Sequence, residues 1–283
     1  MPNALSRRHL LAALAGAAVL GPTVARAASK ERRRSDSERF ETSHTELSVI
    51  GLDPAHDGLV VAQLSDIHIG RNTPDGRVIA AVRELNEGRP DLAFLTGDYV
   101  TTKRDPIDQV PRLLAGIAAP TFAVLGNHDH WTDAARIRKD LEGIGYTVLQ
   151  NQHTVTYVKG APLTLLGVDD GRTHHDEVAD TFKGAAATGT RIVLTHSPPT
   201  ADKLVGSENL VCFSGHTHGM QIAIPGIMEP LYRRLGQPYV RGLYQVGKNQ
   251  LYVNRGLGFG RGGPLVRIGS DPELSFFTLR VAA

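Results

Sequence analysis

The sequence predicts an α/β protein (α+β by some schemes) of two mixed β-sheets, packed as a sandwich and flanked by helices. In the first half of the chain, short apolar runs alternate with amphipathic segments, which is typical of parallel strands joined by helices. In the second half, strand-like runs outnumber helices, and a single flat sheet of so many strands would be unusual. With 283 residues and 41% hydrophobic residues, the chain can bury a large core.

Strands and helices alternate clearly in the first half. The run Leu59–Leu64 is apolar and partly β-branched, so we predict a buried strand there. Residues 75–88 place apolar side chains at helical spacing. The other predicted elements of this half are strands at Leu92–Leu95 and Thr121–Leu125 and helices at residues 106–117 and 132–143.

The second half contributes most of the strands. The candidates are Thr154–Val158, Leu163–Val168, Arg191–Thr195, Leu210–Phe213, Gln221–Ile224, Val240–Val246, Leu251–Val253, Leu265–Ile268 and Ser275–Val281. Two sheets in face-to-face contact, with the helices outside, accommodate them all.

Residues 1–27 have the features of an export signal. Arg7 and Arg8 precede an apolar run over residues 10–20, and residues 25–27 read Ala-Arg-Ala, like a cleavage site. The run is shorter than the roughly 20 residues that span a bilayer, and the paired arginines resemble a twin-arginine signal. An uncleaved amphipathic anchor is the alternative. We expect export to the periplasm or cell envelope, with no transmembrane span after processing.

The remaining chain is divided into a polar linker, residues 28–45, and one domain, residues 46–283. The net charge of +2 includes three arginines of the signal, so the processed chain is close to neutral. Because it has no clustered basic face, a stable nucleic-acid complex is not expected. The single cysteine, Cys212, excludes an intrachain disulfide and a cysteine-based metal site.

Residue types that bind metals or transfer protons directly follow five of the apolar runs. The five segments are Asp66-Ile67-His68, Gly97-Asp98, Gly126-Asn127-His128-Asp129, His196 and Gly215-His216-Thr217-His218. Ligands bind beyond the carboxyl ends of strands in open α/β sheets, so these ends are expected to meet on one rim. Since residues i and i+2 of an extended segment face the same side, Asp66 should lie with His68, and His216 with His218.

The predicted metal ligands exceed what one ion needs. They are Asp66, His68, Asp98, Asn127, His196, His216 and His218. One tetrahedral zinc takes four ligands, whereas two ions would use the whole set if a carboxylate bridges them, and Asp98 is the natural bridge. Mixed nitrogen and oxygen donors favour Mn, Fe or Zn. We therefore expect two divalent metal ions as cofactors.

These blocks, in this order, resemble the calcineurin-like metallophosphoesterases. They read DxH, GDYV, GNHD, a single His and GHTH, and the resemblance covers residues 46–283. The segment at residues 254–258 (Asn-Arg-Gly-Leu-Gly) is similar to the bacterial exported branch of that superfamily. Met220 departs from the Gly often found after GHTH in that branch.

The resemblance implies the same two-sheet sandwich and assigns the ligands. It places Asp66, His68 and His218 at a first metal ion and Asn127, His196 and His216 at a second. Asp98 would bridge the two ions. A metal-bound hydroxide would attack phosphorus in a phosphomonoester or phosphodiester, and His128 would assist the leaving group. Asp129 would orient His128 by a hydrogen bond, or would merely begin a helix.

Several alternatives stay open at this point. A non-catalytic metal-binding scaffold would keep the ligands and lose His128 and Asp129, and a mononuclear zinc hydrolase would not need Asp98 and Asn127. Monoesters, diesters, pyrophosphates and lipid-linked phosphates are all candidate substrates. Four further side chains and one segment each have a functional and a structural reading: Arg71 and Arg255 (phosphate contact or salt bridge), Asp169 and Asp170 (rim or plain turn), and residues 225–239 (lid, membrane-facing loop or irregular connection).

Overall fold

Two six-stranded sheets form the body of the part of the chain that the structure describes. The structure is a computed structural model that describes residues 38–224, 228–234, 236–260 and 267–282. Both sheets mix parallel and antiparallel strands, and helices cover their outer faces, so the predicted fold class is confirmed. The predicted signal at residues 1–27 lies outside the described residues.

The first sheet collects the strands of the alternating half together with both ends of the domain. Its strands are β1 (Glu41–Val49), β2 (Leu59–Leu64), β3 (Leu92–Thr96), β4 (Thr121–Val124), β5 (Thr147–Val148) and β12 (Glu273–Val281). Their order is β1-β12-β2-β3-β4-β5. Strands β2 to β5 are parallel, and β12 runs antiparallel to β2 and parallel to β1.

The second sheet is built from the strand-rich half. Its strands are β6 (Gln152–Val158), β7 (Ala161–Gly167), β8 (Thr190–Leu194), β9 (Val211–Ser214), β10 (Gly242–Val246) and β11 (Asn249–Val253). Their order is β10-β11-β9-β8-β7-β6. The four central strands are parallel, and an antiparallel hairpin closes each edge.

The main core lies between the sheets. The ring centroids of Phe94 (β3) and Phe213 (β9) lie 5.4 Å apart across it, and both side chains are fully buried. A second cluster packs helices against the outer face of the first sheet. The α-helices among the described residues are α1 (Asp75–Glu87), α2 (Gln109–Leu114), α3 (Asn127–Thr132), α4 (Ala134–Gly143), α5 (Val178–Phe182) and α6 (Met228–Arg234).

A buried glutamine joins the two sheets at one end of this core. Gln63 of β2 donates through Nε2 to Thr96 Oγ1 at 2.9 Å and to the Ser214 carbonyl of β9 at 3.0 Å. Both partners are the last residues of their strands. The link fixes the carboxyl ends of β3 and β9 beside each other, and the polar segments that follow these strands therefore start from one place.

Strand β1 corrects the predicted linker. It begins at Glu41, so Glu41–Thr45, which the sequence analysis assigned to the linker, pair with β12. The linker prediction is wrong for these residues. The physical reason is that β1 is an edge strand: most of its side chains are exposed or half-buried, and only Leu47 and Val49 are buried. The apolar signal of a strand is therefore weak at its start.

Other predicted elements also differ from the structure. Gln221–Ile224 does not form a strand, because Met220 and Gln221 adopt φ of 73° and 50° and turn the chain, leaving one isolated bridge from Ile222. Helix α3 at Asn127–Thr132 was not predicted, and α4 begins after it. Among the described residues, no helix combines the length and apolar character needed to cross a membrane.

Candidate metal centre

The five predicted strand ends meet at the rim where the two sheets are joined. The segments after β2 and β3 are in backbone contact, because the Asp66 amide donates to the Gly97 carbonyl at 2.9 Å and the His68 amide to the Asp98 carbonyl at 3.0 Å. The segment after β9 reaches them across the sandwich: the His216 amide donates to Asp66 Oδ2 at 2.9 Å. The rim therefore combines both sheets.

One group of three ligand-type side chains consists of Asp66, His68 and His218. We call it the first triad; its three ligand atoms lie within 4.8 Å of one another, and all three residues are buried. Nε2 of His68 lies 3.1 Å from Nε2 of His218, which in turn lies 3.3 Å from Asp66 Oδ1. Three lone-pair donors thus converge on one point.

A second group, the second triad, consists of Asp98, His196 and His216. Its ligand atoms meet the same 4.8 Å limit. Nε2 of His196 lies 3.2 Å from Asp98 Oδ2 and 3.3 Å from Nδ1 of His216. The i, i+2 expectation is wrong here, because His216 and His218 belong to different triads. That expectation assumed an extended chain, whereas these two residues have φ of 74° and 51°.

Asp98 connects the two triads. Its Oδ2 lies 3.2 Å from Nε2 of His196 in the second triad and 3.7 Å from Nε2 of His68 in the first. The other oxygen, Oδ1, accepts the backbone N–H of His128 at 2.8 Å. A single carboxylate therefore faces both sets of imidazoles.

Asn127 adds a neutral oxygen to the same rim. It begins α3 directly after β4 and is 2% exposed. Its side-chain Oδ1 has no hydrogen-bond partner among the described residues. A buried amide oxygen without a donor costs free energy unless something else binds it, so this side chain fits the role of a metal ligand.

The outer nitrogens of the imidazoles are also held. Nδ1 of His196 lies 2.7 Å from the Thr96 carbonyl, and Nδ1 of His68 lies 3.0 Å from Thr101 Oγ1. Such second contacts fix ring orientation at metal sites and leave Nε2 free to bind the ion. Nδ1 of His218 differs, because it lies 3.0 Å from the guanidinium Nη2 of Arg267. No sequence motif signalled Arg267 or the two threonines.

Most of the ligand residues adopt left-handed backbone angles. The values of φ are 48° at Asp66, 50° at His68, 58° at Asp98, 74° at His216 and 51° at His218. Such conformations cost about 1–3 kcal/mol each outside glycine and tend to cluster at functional sites. The surrounding backbone hydrogen bonds and close packing hold these residues in place.

Two glycines permit that close packing. A Cβ atom on Gly215 would overlap the side chains of Ser65 and Asp66, and one on Gly126 would overlap Asp98. These two positions therefore require glycine, because the site leaves no room for a side chain there.

Burial controls the charge of the imidazoles. It lowers the pKa of His68 to about 3 and that of His216 to about 4, and it lowers the pKa of His218 well below the ordinary value. These three rings are neutral near pH 7 and present lone pairs, as metal ligands must.

The pair of Asp98 and His196 behaves in the opposite way. Burial raises the pKa of Asp98, but the charge of His196 outweighs it and holds this pKa below the ordinary value. Burial likewise lowers the pKa of His196, and Asp98 reverses the shift and raises it well above the ordinary value. The buried carboxylate thus requires a positive charge beside it, which a proton or a cation can supply.

His128 stands next to the triads without joining them. Its Nδ1 lies 2.7 Å from the Thr101 carbonyl, so Nδ1 carries a proton and donates it. Its ring makes edge contacts with His68 and with Trp131, both with centroids 5.0 Å apart. Trp131 is 49% exposed, so this side of the site opens to solvent. Nε2 of His128 is the nitrogen left to meet a substrate.

Asp129 does not orient His128, and that predicted role is wrong. Its carboxylate accepts three backbone N–H groups, from Asp98 at 2.8 Å, Tyr99 at 2.9 Å and Gly126 at 2.8 Å. Burial and the charge of Asp98 raise its pKa to about 7, against these hydrogen bonds. Asp129 therefore holds the backbone that carries Asp98, because the turn after β4 points it away from the imidazole.

The remaining candidates separate clearly. Arg255 forms salt bridges at 3.1 Å with both Glu273 and Glu41, so the salt-bridge reading holds and a phosphate contact does not. The side chain of Arg71 is exposed. Asp169 and Asp170 are 2% and 0% exposed. This burial favours a position at the rim over a plain surface turn.

Comparison with known proteins agrees with this geometry. The model of the calcineurin-like phosphoesterases matches residues 59–220, which contain every predicted ligand as well as His128 and Asp129. The chain belongs to the calcineurin-like phosphoesterase family. It is accordingly a metal-dependent phosphoester hydrolase.

Three relatives illustrate the family. The chain is 30% identical to the metallophosphoesterase YkuE of Bacillus subtilis, over 98% of each chain. It is 31% identical to the phosphodiesterase YaeI of Escherichia coli, over 76% of this chain and 80% of YaeI. It is 27% identical to the UDP-2,3-diacylglucosamine pyrophosphatase LpxG of Chlamydia trachomatis, over 77% of this chain and 82% of LpxG.

Proposed function

We propose that this chain hydrolyses phosphoesters with two divalent ions, one at each triad, shared through Asp98. The observation that best supports this is the position of Asp98 Oδ2, which lies 3.7 Å from an imidazole nitrogen of the first triad and 3.2 Å from one of the second. Asn127, with its unpartnered buried oxygen, would complete the second set. Nitrogen and oxygen donors suit Mn, Fe or Zn.

The chain prepares the site for these ions. Bound divalent ions supply the charge that lowers the pKa of a water and neutralises phosphoryl oxygens. The neutral rings of His68, His216 and His218 offer lone pairs without losing protons first. Because the ligands are buried, water competes weakly and electrostatic attraction is strong.

His128 would act on the departing group. The hydrogen bond from Nδ1 to the Thr101 carbonyl fixes the ring, and the backbone N–H that donates to Asp98 Oδ1 fixes its distance from the bridge. In its protonated form, Nε2–H donates to the leaving oxygen and then transfers the proton to it. General acids of this type contribute typically 10²–10⁴-fold in rate.

The test is reconstitution of the full chain. The metal-free protein is loaded with Mn²⁺, Fe²⁺ or Zn²⁺, bound metal is quantified, and hydrolysis of mono- and bis-(p-nitrophenyl) phosphate is measured. The proposal predicts metal-dependent turnover with about two ions per chain. One ion with turnover would favour a mononuclear hydrolase, two ions without turnover on either ester would favour a metal-binding scaffold, and no bound metal would overturn the proposal.

For the substrate we infer a phosphodiester or pyrophosphate that carries acyl chains. The name of YaeI states a phosphodiesterase, and the name of LpxG states a pyrophosphatase that acts on a diacylated sugar nucleotide. The structure adds exposed apolar side chains on α6 and on the segments that pair after His218: Ile224 is 47%, Leu231 45% and Ile268 53% exposed. Leu231 lies on α6, where Tyr232 packs against the small cluster around Met220, two residues after His218.

A single substitution tests this substrate class. Leu231→Ser should lower the rate on a diacylated sugar nucleotide and leave the rate on bis-(p-nitrophenyl) phosphate unchanged. Equal effects on both substrates would contradict an acyl contact at α6.

We further propose that residues 1–27 direct export by the twin-arginine route, and that the protein works in the periplasm or cell envelope. The support is the sequence alone: paired arginines, a short apolar run and a cleavage-like site. Arg7→Lys together with Arg8→Lys should keep the protein in the cytoplasm in a fractionation experiment. Normal export of this double variant would refute the route.

A further inference from the structure

Asp170 lies at the same rim as the second triad, although no motif includes it. Strand β7 pairs with β8 in parallel up to Gly167 and Leu194, and the Val168 amide still donates to the Leu194 carbonyl at 2.9 Å. The two chains therefore leave the sheet side by side, one toward Asp170 and the other toward His196. Asp170 is 0% exposed.

One oxygen of Asp170 has no partner. Oδ2 accepts the Thr173 amide at 2.7 Å and the Thr173 hydroxyl at 2.8 Å, whereas Oδ1 has no hydrogen-bond partner among the described residues. The neighbouring Asp169 differs, since its two oxygens bind His130 Nε2 at 2.8 Å and Gln150 Nε2 at 2.9 Å. A buried carboxylate oxygen without a donor is costly unless a ligand satisfies it.

The two metal sites carry unequal charge without Asp170. The first triad contains its own carboxylate, Asp66, in addition to the shared Asp98, whereas the second triad, among the described residues, combines Asp98 with two histidines and no further carboxylate. The loop that carries Asp170 is held against a ligand-bearing element, because Nε2 of His130, on the helix that begins with Asn127, lies 2.8 Å from Oδ1 of the adjacent Asp169.

We propose that Asp170 is an outer ligand of the second ion: it supplies the second negative charge of that site, and its Oδ1 accepts a hydrogen bond from a water bound there. Its oxygens are not among the ligand atoms that lie within 4.8 Å of one another, so the proposal places a water between Asp170 and the ion. This inference rests on the proposed two-ion function. Each ion then has one carboxylate of its own, Asp66 or Asp170, and shares Asp98.

The test is a Mn²⁺ titration of the full-length, metal-free chain, with free Mn²⁺ followed by electron paramagnetic resonance. Asp170→Asn keeps an oxygen for the Thr173 amide, so it preserves the local turn, but it removes the charge and replaces one oxygen with an amide NH₂. We expect wild-type affinity for the first ion and a Kd for the second ion that is about 10–100-fold higher, as for other outer contacts of metal sites.

A matched control lies in the same loop. Asp176→Asn removes an equal charge from a carboxylate that is paired with Lys203 at 2.5 Å, and it should bind both ions like the wild type. Asp170→Ser, which retains a capping hydroxyl, provides a second variant if the asparagine variant unfolds, as judged by urea denaturation of the metal-free protein.

The outcomes separate this inference from the proposed function. If Asp170→Asn and Asp170→Ser bind two ions with wild-type affinity, Asp170 is not an outer ligand and the inference is overturned. If the wild type itself binds fewer than two ions, the two-ion proposal fails first.

Discussion

At the scale of single residues, His128 and the seven predicted ligands have different tasks. Six of the ligands converge in the triads, and Asn127 has a buried oxygen without a hydrogen-bond partner among the described residues. His128 contacts the first triad only through the edge of its ring against His68. Its ring is fixed by a hydrogen bond to the Thr101 carbonyl, and among the described residues no hydrogen bond joins the ring to a ligand side chain. Removal of its imidazole should therefore leave metal binding intact.

This separation can be measured. In His128→Ala we expect the bound metal per chain to equal that of the wild type, and kcat for bis-(p-nitrophenyl) phosphate to fall by about 10²–10⁴-fold. Added metal should not restore the rate. A variant that lost its metal together with its activity would place His128 among the ligands.

Asp129 should behave in the opposite way. In Asp129→Asn, an NH₂ group replaces one of the two oxygens that accept N–H groups from Asp98, Tyr99 and Gly126, so at least one buried donor loses its acceptor, at a cost of about 1–3 kcal/mol. The loop that carries Asp98 would loosen, and metal affinity and rate would fall together. Excess metal should restore much of the rate, and failure of this rescue would argue that Asp129 acts on the substrate instead.

The residue types of the site could be predicted, but their exact grouping could not. Apolar runs that end in Asp, Asn and His indicate strand ends at a rim, and the ordered blocks indicate the family. His216 and His218 belong to different triads because both have left-handed backbone angles. The alternation of side chains in an extended strand does not predict such angles. Arg267 reaches His218 from 49 residues away, and a single arginine at that distance carries no local signal.

At the scale of secondary-structure elements, the edge of the first sheet stabilises a loop that contacts the first triad. Arg255 pairs with the buried Glu273 of β12 and with the exposed Glu41 of β1. The adjoining loop reaches the first triad, because the amides of Leu257 and Gly258 donate to the carbonyls of Ser65 and Asp66 at 2.9 and 2.8 Å. Strand β1, which the sequence analysis placed partly in a linker, thus belongs to this support.

The two glutamates should contribute unequally to stability. Glu273→Gln breaks a buried pair and should lower the free energy of unfolding by about 3–5 kcal/mol, while Glu41→Gln, on the exposed side of the same arginine, should cost under about 1 kcal/mol. Urea denaturation near pH 7 measures both. Equal losses would show that burial of Glu273 is not what matters.

The same pair gives a dependence on pH. Burial raises the pKa of Glu273, but Arg255 outweighs burial and holds this pKa below its ordinary value of 4.5. A lowered carboxyl pKa means that the stabilisation is complete above pH 4.5 and is lost as the pH falls through the folded-state value. The difference in unfolding free energy between wild type and Glu273→Gln should therefore shrink below about pH 4.

Helix α3 shows why some elements escape prediction. Its six residues Asn127–Thr132 contain no apolar repeat, because three of them, Asn127, His128 and Asp129, are buried for the chemistry of the rim. Longer elements with a regular apolar face, such as α1 and β2, were predicted within a residue or two. Function and regular patterning compete for the same positions.

At the scale of the whole molecule, the sandwich brings strand ends from both sheets to one rim. The first sheet supplies Asp66, His68, Asp98 and Asn127, and the second supplies the three remaining histidines. Neither sheet alone contains a complete triad. The two-sheet architecture, which the number of strands and the family resemblance both predict, is therefore also the condition for a two-ion site.

The most direct test of this account is the number of divalent ions bound per chain in the wild type and in Asp98→Ala, after both have been equilibrated with Mn²⁺ and freed of excess metal. Because Asp98 faces both triads, its loss removes a ligand from each site. We expect about two ions in the wild type and fewer than about one in the variant, with loss of hydrolysis. Retention of two ions by Asp98→Ala would contradict the bridging role on which the account depends.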